Sequence, residues 1–404
     1  VDSRDFVDGG LFVGLRGERQ DGGHYAPEVL RRGAAGAVIG EAAWRWLEGD
    51  LRGIGKPVLV ARDPLEVLQS AGRMALERVG ARVVAITGAT GKTTTKDILV
   101  AMLSAAGARV EGTPGNRNTE VGVPMSLMAL AEDTEIAVVE MGMRGLGQIA
   151  ELARLAPPNV GCITSIGPVH LELLGTVENV AAAKFEVIAA LKSGSTAVVP
   201  ENDPFLQEHL RTLDGNITVL EFGGEPTIDL NMNLLTSWQR RCAAAALECC
   251  RALDRMPAEG ATIHVAFSAM RGNIRALAVG GTLIEDCYNA NPIAMHAALS
   301  DLAAREGRRV AVLGDMMELG PDEAHYHREI GRAAAESGVA LVVGIGQRAA
   351  GYVDGADGIA TVHFATVDDA VAGVGEHLRS GDVVLLKGSR SMALERVAAV
   401  IAAD

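Results

Sequence analysis

Short apolar runs alternate with longer stretches in which apolar residues recur at helical spacing along most of this chain. Four such runs, rich in valine and isoleucine, occupy residues 82–87, 136–141, 160–166 and 195–200. Each is followed by a helix-type segment, which is the pattern of a parallel sheet with crossover helices. We therefore predict a central α/β domain over residues 81–256.

The alternation begins again after the segment "RMPAEGA", which contains proline and glycine. Its apolar runs cover residues 281–286, 308–314, 340–346 and 382–388, and alanine-rich helical stretches separate them. This pattern predicts a second parallel sheet in a Rossmann-like domain over residues 257–404, although no GxGxxG sequence is present.

The first 80 residues contain shorter elements. We predict strands within residues 9–17, 35–40 and 56–62 and a helix over 26–34, which together form a small α/β domain at 1–80. Residues 63–81 begin with Asp-Pro, carry apolar residues at helical spacing and have a glycine near their end, which predicts a helix leading into the central domain. The fold class is therefore α/β with three domains.

Composition and charge narrow the choice of partners. The chain has 404 residues, 48% of them hydrophobic, and a net charge of -14. This charge argues against a nucleic-acid or anionic-membrane partner, since such surfaces need clustered Lys and Arg. Because no uncharged apolar run approaches the length that spans a bilayer, we expect no membrane insertion. The five cysteines show no CxxC spacing, so we expect reduced thiols in a cytoplasmic protein, and we predict a monomer.

Phosphate-binding chemistry appears where the run at 82–87 ends. Gly88 and Gly91 let the backbone turn its N–H groups inward, Lys92 can reach phosphate oxygens, and the hydroxyl of Thr93 can bind Mg²⁺. The candidate nucleotide-binding residues are Gly88, Ala89, Thr90, Gly91, Lys92, Thr93 and Thr94. The alternative, an ordinary turn between strand and helix, is disfavoured because helix propensity does not explain the opening "KTTT".

Three further polar residues follow strands or lie on a helix of the central domain. Glu140 ends a strand on the crevice side of the sheet, where a carboxylate can hold the metal of a nucleotide. His170 lies just beyond the next strand, and Lys184 lies among alanines on a helix. Taken singly, these residues also suit a turn cap, a structural histidine and a solvated lysine. Their combination favours a shared site.

Seven motifs occur in a fixed order along nearly the whole chain. They are "TGATGKTTT" (87–95), "GNRNTEVGVP" (115–124), "VVEMGMRGLGQI" (138–149), "HLELLGTVENVAAAKFEVI" (170–188), "DCYNANPIAMHAAL" (286–299), "VLGDMMELG" (312–320) and "LLKGSRSMALE" (385–395). This series resembles the Mur ligases. The phosphate loop, glutamate, histidine and lysine are shared across that family and, more loosely, with folylpolyglutamate synthase, whereas "YNANP", "LGDMMELG" and "KGSR" resemble the branch that adds D-Ala-D-Ala.

The resemblance implies an ATP- and Mg²⁺-dependent ligase of peptidoglycan precursor synthesis. A carboxylate of UDP-N-acetylmuramoyl-tripeptide would attack the γ-phosphate of ATP, and the amine of D-Ala-D-Ala would then attack the acyl phosphate. Such catalysis is mostly charge neutralisation and positioning. The motifs leave open whether the third residue of the tripeptide is diaminopimelate or lysine.

The resemblance also implies roles for individual residues. Thr93 and Glu140 would hold the nucleotide's Mg²⁺, and His170 with Lys184, the latter as a carbamate, a second ion. The catalytic residues would be Lys92, His170, Lys184 and Arg271. ATP would also contact Asp286, Asn289 and Asn291, and the two other substrates would contact Ser3, Arg4, Asn116, Asn118, Thr119, Lys387, Ser389 and Arg390. The polar residues of "KGSR" also suit a helix start.

One region departs from the family pattern. Between residues 222 and 250 the Mur ligases carry a longer stretch that ends in a His-Asn-x-x-Asn element, and this chain has neither the histidine nor the second asparagine. We therefore assign no residue of this region to an adenine contact. Two alternatives remain: another ligase of the superfamily, adding diaminopimelate, lysine or glutamate, and a non-catalytic nucleotide-binding scaffold. The intact set of Thr93, Glu140, His170 and Lys184 argues against the scaffold.

Overall fold

The computed structural model of the protein describes residues 8–234 and 236–403. The chain forms two compact units. The first comprises the described residues up to Ala81 together with Arg117–Thr134, and the second comprises Arg82–Asn116 and the residues from Glu135 onward. The first unit is thus built from two separate stretches of chain.

A small parallel sheet forms the centre of the first unit. Its strands, in spatial order, are β1 (Leu11–Val13), β2 (Gly36–Gly40) and β3 (Val58–Ala61). Its helices are α1 (Ala26–Arg31), α2 (Glu41–Ile54), α3 (Pro64–Val79) and, from the second stretch of chain, α5 (Gly122–Met128). The predicted strands and both predicted helices are confirmed.

The helix α3 begins and ends as its sequence predicts. The side chain of Asp63 accepts a hydrogen bond from the Leu65 N–H at 2.8 Å, and Pro64 occupies the first turn, where a missing N–H costs nothing. Gly80 ends the helix in the left-handed conformation, with φ 71°. A side of α3 packs closely on α5, because a Cβ at Gly72 would lie 2.6 Å from the Cα of Pro124.

The first large sheet of the second unit has six parallel strands. In chain order they are β4 (Arg82–Thr87), β5 (Val110–Gly112), β6 (Ile136–Glu140), β7 (Val160–Ile163), β8 (Thr196–Pro200) and β9 (Thr218–Phe222), and their spatial order is β5-β6-β4-β7-β8-β9. The accompanying helices are α4 (Lys92–Ala105), α6 (Gln148–Leu155), α7 (Leu171–Leu174), α8 (Val177–Ala189), α9 (Gln207–Leu210) and α10 (Ser237–Ala252). A short parallel pair, β10 (Asn231–Met232) and β11 (Thr262–Ile263), flanks α10 in sequence.

The second large sheet also has six strands. They are β12 (Asn273–Ala276), β13 (Gly281–Asp286), β14 (Arg308–Gly314), β15 (Leu341–Ile345), β16 (Ala360–Phe364) and β17 (Asp382–Lys387), in the spatial order β12-β13-β17-β14-β15-β16. Only the β12–β13 pair among these is antiparallel. The helices are α11 (Pro292–Ala303), α12 (Glu323–Glu336), α13 (Ala350–Gly355), α14 (Val367–Gly373) and α15 (Glu395–Ile401).

The strand orders bring the candidate site residues together at the carboxyl ends of neighbouring strands. In the first large sheet, β4 lies between β6 and β7, so the loop after β4, the end of β6 and the loop after β7 adjoin one another. In the second, Asp286 at the end of β13 pairs in register with Lys387 at the end of β17. Carboxyl ends of parallel strands are where open α/β sheets bind their ligands.

An alanine- and cysteine-rich helix forms much of the core of the first large sheet. The buried side of α10 packs against α4 and carries Cys242, Cys249 and Cys250. All five cysteines are buried and unpaired, as predicted. Within the described ranges, no helix has the length and apolar character needed to cross a membrane.

Two helix glycines provide a stability prediction with opposite signs. A Cβ at Gly331 in α12 would overlap the carbonyl oxygen of Tyr352 in α13, whereas a Cβ at Gly49 in α2 would meet no atom within 4 Å. Gly49→Ala should therefore raise the free energy of unfolding by about 0.5–1 kcal/mol. Gly331→Ala should lower it by about 1–3 kcal/mol, since overpacking outweighs the gain in propensity. Urea denaturation followed by circular dichroism would measure both, and equal increases in the midpoint would contradict the close α12–α13 packing.

Candidate active site

The phosphate loop is held by the end of the neighbouring strand. Gly88 and Gly91 have φ values of 152° and 86°, which favour glycine, and a Cβ at Gly88 would overlap the hydroxyl of Thr164. The carbonyl of Thr90 accepts hydrogen bonds from Thr164 Oγ1 at 2.6 Å and Ser165 Oγ at 3.1 Å. The loop therefore has a fixed shape before any ligand binds.

The lysine of the loop closes back on it. Lys92 is the first residue of α4, and its Nζ donates to the carbonyl of Gly88 at 2.9 Å. Burial lowers the pKa of Lys92, the Glu140 carboxylate opposes this shift, and the nearby Arg271 cation lowers the pKa further. A helix N-terminus adds positive potential at the same place. The loop is thus suited to a polyphosphate.

A pair of buried oxygens beside the loop suits a hard cation. Thr93 Oγ1 donates to Glu140 Oε2 at 2.6 Å, and both side chains are buried. Mg²⁺ prefers oxygen ligands and commonly binds one or two protein groups together with substrate phosphates, so this pair fits it. The part of the chain that the structure describes contains no cluster of three or more His, Cys, Asp and Glu side chains able to hold a metal by themselves.

Lys184 lies inside the protein. It sits on α8, is only 2% exposed, and is flanked in sequence by the buried residues Ala183 and Phe185. Its amine has no hydrogen-bond or ion-pair partner among the described residues. Burial lowers the pKa of Lys184 well below its ordinary value, and the charge of Lys92 lowers it further. The alternative of a solvated lysine is therefore wrong.

His170 is paired with a carboxylate from the C-terminal part of the second unit. The residue follows β7 with a φ of 54°, and its Nδ1 lies 2.5 Å from Glu318 Oε2. This hydrogen bond lowers the pKa of Glu318, burial opposes the shift, and Arg144, 3.6 Å from the other carboxylate oxygen, lowers it further. His170 is thus held from outside its own strand and loop.

A pocket brings the phosphate loop together with residues of the second large sheet. Its volume is about 790 Å³, including space open to solvent. Of the residues predicted for the site, it is lined by Thr90, Gly91, Thr94, Arg271, Asp286, Asn289, Asn291 and Lys387. Two sets of residues that are distant in sequence therefore face one cavity.

Hydrogen bonds fix the wall of this pocket opposite the loop. Asn291 caps α11 through its Oδ1, which accepts from the Ala294 N–H at 3.0 Å, and its Nδ2 donates to the carbonyl of Ala89 in the phosphate loop at 3.5 Å. Lys387, which is buried, places its Nζ 2.6 Å from Asp286 Oδ2 and 2.9 Å from the carbonyl of Asn289. These residues hold the pocket in shape.

Arg271 is held by an aromatic ring instead of a carboxylate. Its guanidinium carbon lies 3.9 Å from the ring centre of Tyr288, and its buried Nε has no hydrogen-bond partner among the described residues. Cation–π contact keeps the charge of an arginine while leaving its N–H donors unused. The side chain is thus available to a phosphate in the pocket.

The other residues of "KGSR" do not line the pocket. Ser389 is buried; its Oγ accepts from the Met317 N–H at 3.0 Å and its own N–H donates to the carbonyl of Asp315 at 3.1 Å. Arg390 is half-exposed and pairs with Glu395 at 2.8 Å. Ser389 precedes a single 3-10 turn, Arg390–Met392, without capping it through its side chain. Their contact with a substrate stays a prediction.

The remaining predicted substrate residues lie in different parts of the chain. Asn116 is exposed in the second unit, whereas Asn118 and Thr119 belong to the first. Thr119 Oγ1 accepts from the Gly122 N–H at 3.3 Å at the start of α5. Ser3 and Arg4 lie outside the described residues. The substrate roles of these five residues stay predictions.

The pocket also contains residues that sequence reasoning missed. Thr236, Trp238, Gln239 and Tyr288 line it. A Cβ at Gly91 would lie 3.1 Å from Trp238 Cζ2, so the start of α10 packs directly on the phosphate loop. These α10 residues lie in the region that departs from the family pattern. The sequence signal that could have pointed to this part of the pocket is Trp238, the one tryptophan beyond residue 46.

Fold and site together define a nucleotide-binding enzyme of the phosphate-loop class. Family models match two parts of the chain: residues 86–246 match the Mur ligase middle domain, and residues 248–390 match the Mur ligase, glutamate ligase domain. The UDP-N-acetylmuramoyl-tripeptide--D-alanyl-D-alanine ligase of Bacillus subtilis (strain 168) is 32% identical to this chain, over 98% of this chain and 91% of the relative. The chain belongs to the Mur ligase family.

Solved structures agree with this assignment. A crystal structure of MurF from Acinetobacter baumannii has a TM-score of 0.84 and 28% identity, covering 98% of this chain and 91% of that one. The crystal structure of MurF ligase from Thermotoga maritima in complex with ADP has a TM-score of 0.82 and 26% identity, covering 99% and 95%. The α/β fold is confirmed, and the chain is a ligase.

The position of Trp238 predicts an optical signal of nucleotide binding. Because this indole lines the pocket beside Gly91, adding ATP should change the intrinsic fluorescence of the protein. Trp238→Phe should remove the change, and the matched variant Trp46→Phe, altered on α2 of the first unit, should keep it. An ATP-dependent signal of unchanged amplitude in Trp238→Phe would contradict the assignment of this pocket to the nucleotide.

Proposed function

We infer that this ligase joins D-alanyl-D-alanine to UDP-N-acetylmuramoyl-tripeptide, with ATP as the source of energy, in peptidoglycan precursor synthesis. The observation that carries this proposal is the likeness over 98% of the chain to a relative of that name. The pocket that combines a phosphate loop with the "YNANP" and "KGSR" residues Asn289, Asn291 and Lys387 supports it. The buried, unpaired cysteines support a cytoplasmic location, and the monomeric state stays a prediction.

The reaction has two steps that balance without a protein nucleophile. A carboxylate oxygen of the tripeptide bonds to the γ-phosphorus of ATP, and ADP leaves. The amine of D-Ala-D-Ala then bonds to the acyl carbon, phosphate leaves, and the amine loses a proton. Both steps depend on holding highly charged groups in line and neutralising them.

Residues of the chain divide this work. Lys92 of the phosphate loop and Arg271 of the pocket would supply two positive charges to the phosphates, and the N–H groups of the loop would add oriented dipoles. Thr93 and Glu140 are the residues that would hold Mg²⁺ beside them. A bound Mg²⁺ neutralises phosphate oxygens. Asp286, Asn289 and Asn291 form the opposite wall, where the nucleoside would lie.

Lys184 would act as a carbamate. A buried amine of lowered pKa is a neutral nucleophile, and its nitrogen can bond to the carbon of CO₂ with release of one proton. The product carries a negative charge and two oxygens, which suits both the neighbouring positive charge of Lys92 and a second hard cation shared with His170. An uncharged or anionic group is favoured there because no counter-ion for a lysine ammonium lies within the described residues.

The first test of the function is a phosphate-release assay with every combination of substrates. Release should require ATP, Mg²⁺, a UDP-N-acetylmuramoyl-tripeptide and D-Ala-D-Ala together, and removal of any one should reduce the rate to background. Tripeptides ending in diaminopimelate and in lysine should both be supplied. Diaminopimelate, lysine and glutamate should each be offered in place of the dipeptide. Turnover with glutamate on a folate acceptor, and none with D-Ala-D-Ala, would end the assignment.

The carbamate has a separate test. Lys184→Ala should lower kcat about 100-fold or more, because a residue of the proposed metal site is lost. A small carboxylate such as acetate should restore part of the lost kcat. The matched variant Lys192→Ala, at an exposed lysine that follows α8, should keep the wild-type rate. Addition of ¹³C-bicarbonate should produce a carbamate resonance in the wild-type protein and none in Lys184→Ala. An identical ¹³C spectrum in both would contradict the modification.

A further inference from the structure

The segment "LGDMMELG" has no part in the pocket, yet it contacts His170, one of the residues predicted to hold a metal. The loop at 315–320 follows β14 and precedes α12, and it carries Glu318, the partner of His170. His170 and Glu318 are 148 residues apart in sequence. Contact between the two therefore depends on how the loop is built and held.

Three hydrogen bonds brace the loop from the C-terminal side. The Met316 N–H donates to Nε2 of the buried His327 at 3.0 Å, and the Met317 N–H donates to Ser389 Oγ at 3.0 Å. The carboxylate of Asp315 accepts from the Ala349 N–H at 2.8 Å. Consecutive backbone groups of the loop are thus bound by side chains of α12 and of "KGSR", which leaves the loop little freedom to shift.

The loop also meets the chain beside His170 through its backbone. The Leu171 N–H donates to the carbonyl of Glu318 at 2.9 Å. A second contact joins the same segments, between His170 Nδ1 and Glu318 Oε2 at 2.5 Å. Two contacts between the same pair of segments fix both the position and the rotation of the imidazole. Arg144, 3.6 Å away, balances the second oxygen of the carboxylate.

Both partners adopt a backbone conformation that their side chains disfavour. The φ values are 54° for His170 and 64° for Glu318, and left-handed backbone is unfavourable for residues other than glycine. Such strain persists where the surrounding structure requires the residue for another purpose. Glycine or asparagine would adopt this backbone conformation at position 318 at a lower energetic cost. The presence of glutamate there indicates that its carboxylate has a role of its own.

We propose that Glu318 is a positioning residue that holds the His170 ring with its proton on Nδ1, and so reserves the lone pair of Nε2 for a ligand of the active site. A neutral imidazole donates from one nitrogen and accepts or ligates with the other. Nε2 has no partner within the described residues. A carboxylate behind a ligating histidine also raises its basicity and fixes its orientation. This proposal rests on the proposed function only for its effect on catalysis.

The arrangement joins the two halves of the second unit at the reaction centre. His170 belongs to the sheet that carries the phosphate loop, and Glu318 to the sheet that carries Asp286 and Lys387. The ring of His170 is therefore oriented only while the C-terminal part is in place. Because Glu318 comes from the C-terminal part, the active site would be complete only when that part is in place.

The test uses ¹⁵N-histidine spectra of the whole protein without metal, at about pH 8.5, well above the ordinary histidine pKa. His170→Gln identifies the ring signals of His170. In the wild type, Nδ1 should carry the proton, with Nε2 at the shift of an unprotonated nitrogen. Glu318→Asn shortens the side chain and removes its charge while tolerating the left-handed backbone. This substitution should shift the ring toward the Nε2–H tautomer. Glu178→Gln, at an exposed glutamate of α8, should leave the spectrum unchanged.

Kinetics give the second arm. Glu318→Asn should lower kcat about 10–100-fold while the KM for ATP changes less than about 2-fold, and Glu318→Gln, whose amide oxygen still accepts from Nδ1–H, should lose less. Wild-type tautomer and wild-type kcat in Glu318→Asn would overturn the proposal, and if that variant does not fold, the same result in Glu318→Gln would do so. The spectra do not require ligation, so failure of the proposed function, seen as an inactive wild type, is distinguishable.

Discussion

The buried amine of Lys184, which lies within the electrostatic influence of Lys92 in the phosphate loop, is the constraint around which this part of the second unit is organised. Lys92 donates its amine to the carbonyl of Gly88, but Lys184 has no such partner within the described structure, and the charge of Lys92 lowers the pKa of Lys184. A protein interior accepts an unpaired charge only at large cost. Burial therefore favours the neutral form of the Lys184 amine, and an anionic ligand or modification beside Lys92 would balance the remaining positive charge.

The surrounding structure keeps this charge pattern from relaxing. Thr164 and Ser165, which follow β7, hold the phosphate loop, and Trp238 of α10 packs on Gly91. Glu140 is engaged by Thr93 and stays beside the loop. On the far side, Lys387 is neutralised by Asp286. Arg271 thus brings a positive charge into the pocket near Lys92, whereas the charge of Lys387 is balanced by Asp286, a distribution that suits a nucleotide with its phosphates toward Arg271.

Whether a strand could be predicted from the sequence depended on its place in the sheet. All eight interior strands of the two large sheets were predicted, because strands covered on both sides need continuous apolar runs. The four strands of these two sheets that were missed are the edge strands β5, β9, β12 and β16, and β12 is exposed along its length. Within the site, the phosphate loop was readable from local chemistry. The contribution of Glu318 was not, since a partner 148 residues away leaves no local pattern.

The composition of the first unit has a consequence for how such a protein can evolve. Because α5 returns to pack on α3, the unit is encoded by two separate stretches, and the match to the family's middle domain, at 86–246, runs through the second of them. A single recombination event near residue 81 would exchange α3 without α5. The hybrid would pair Gly72 with a foreign helix at the point where its backbone and Pro124 are in closest contact. Inheritance of the two stretches should therefore be linked, and this unit should be exchanged as two coordinated pieces or not at all.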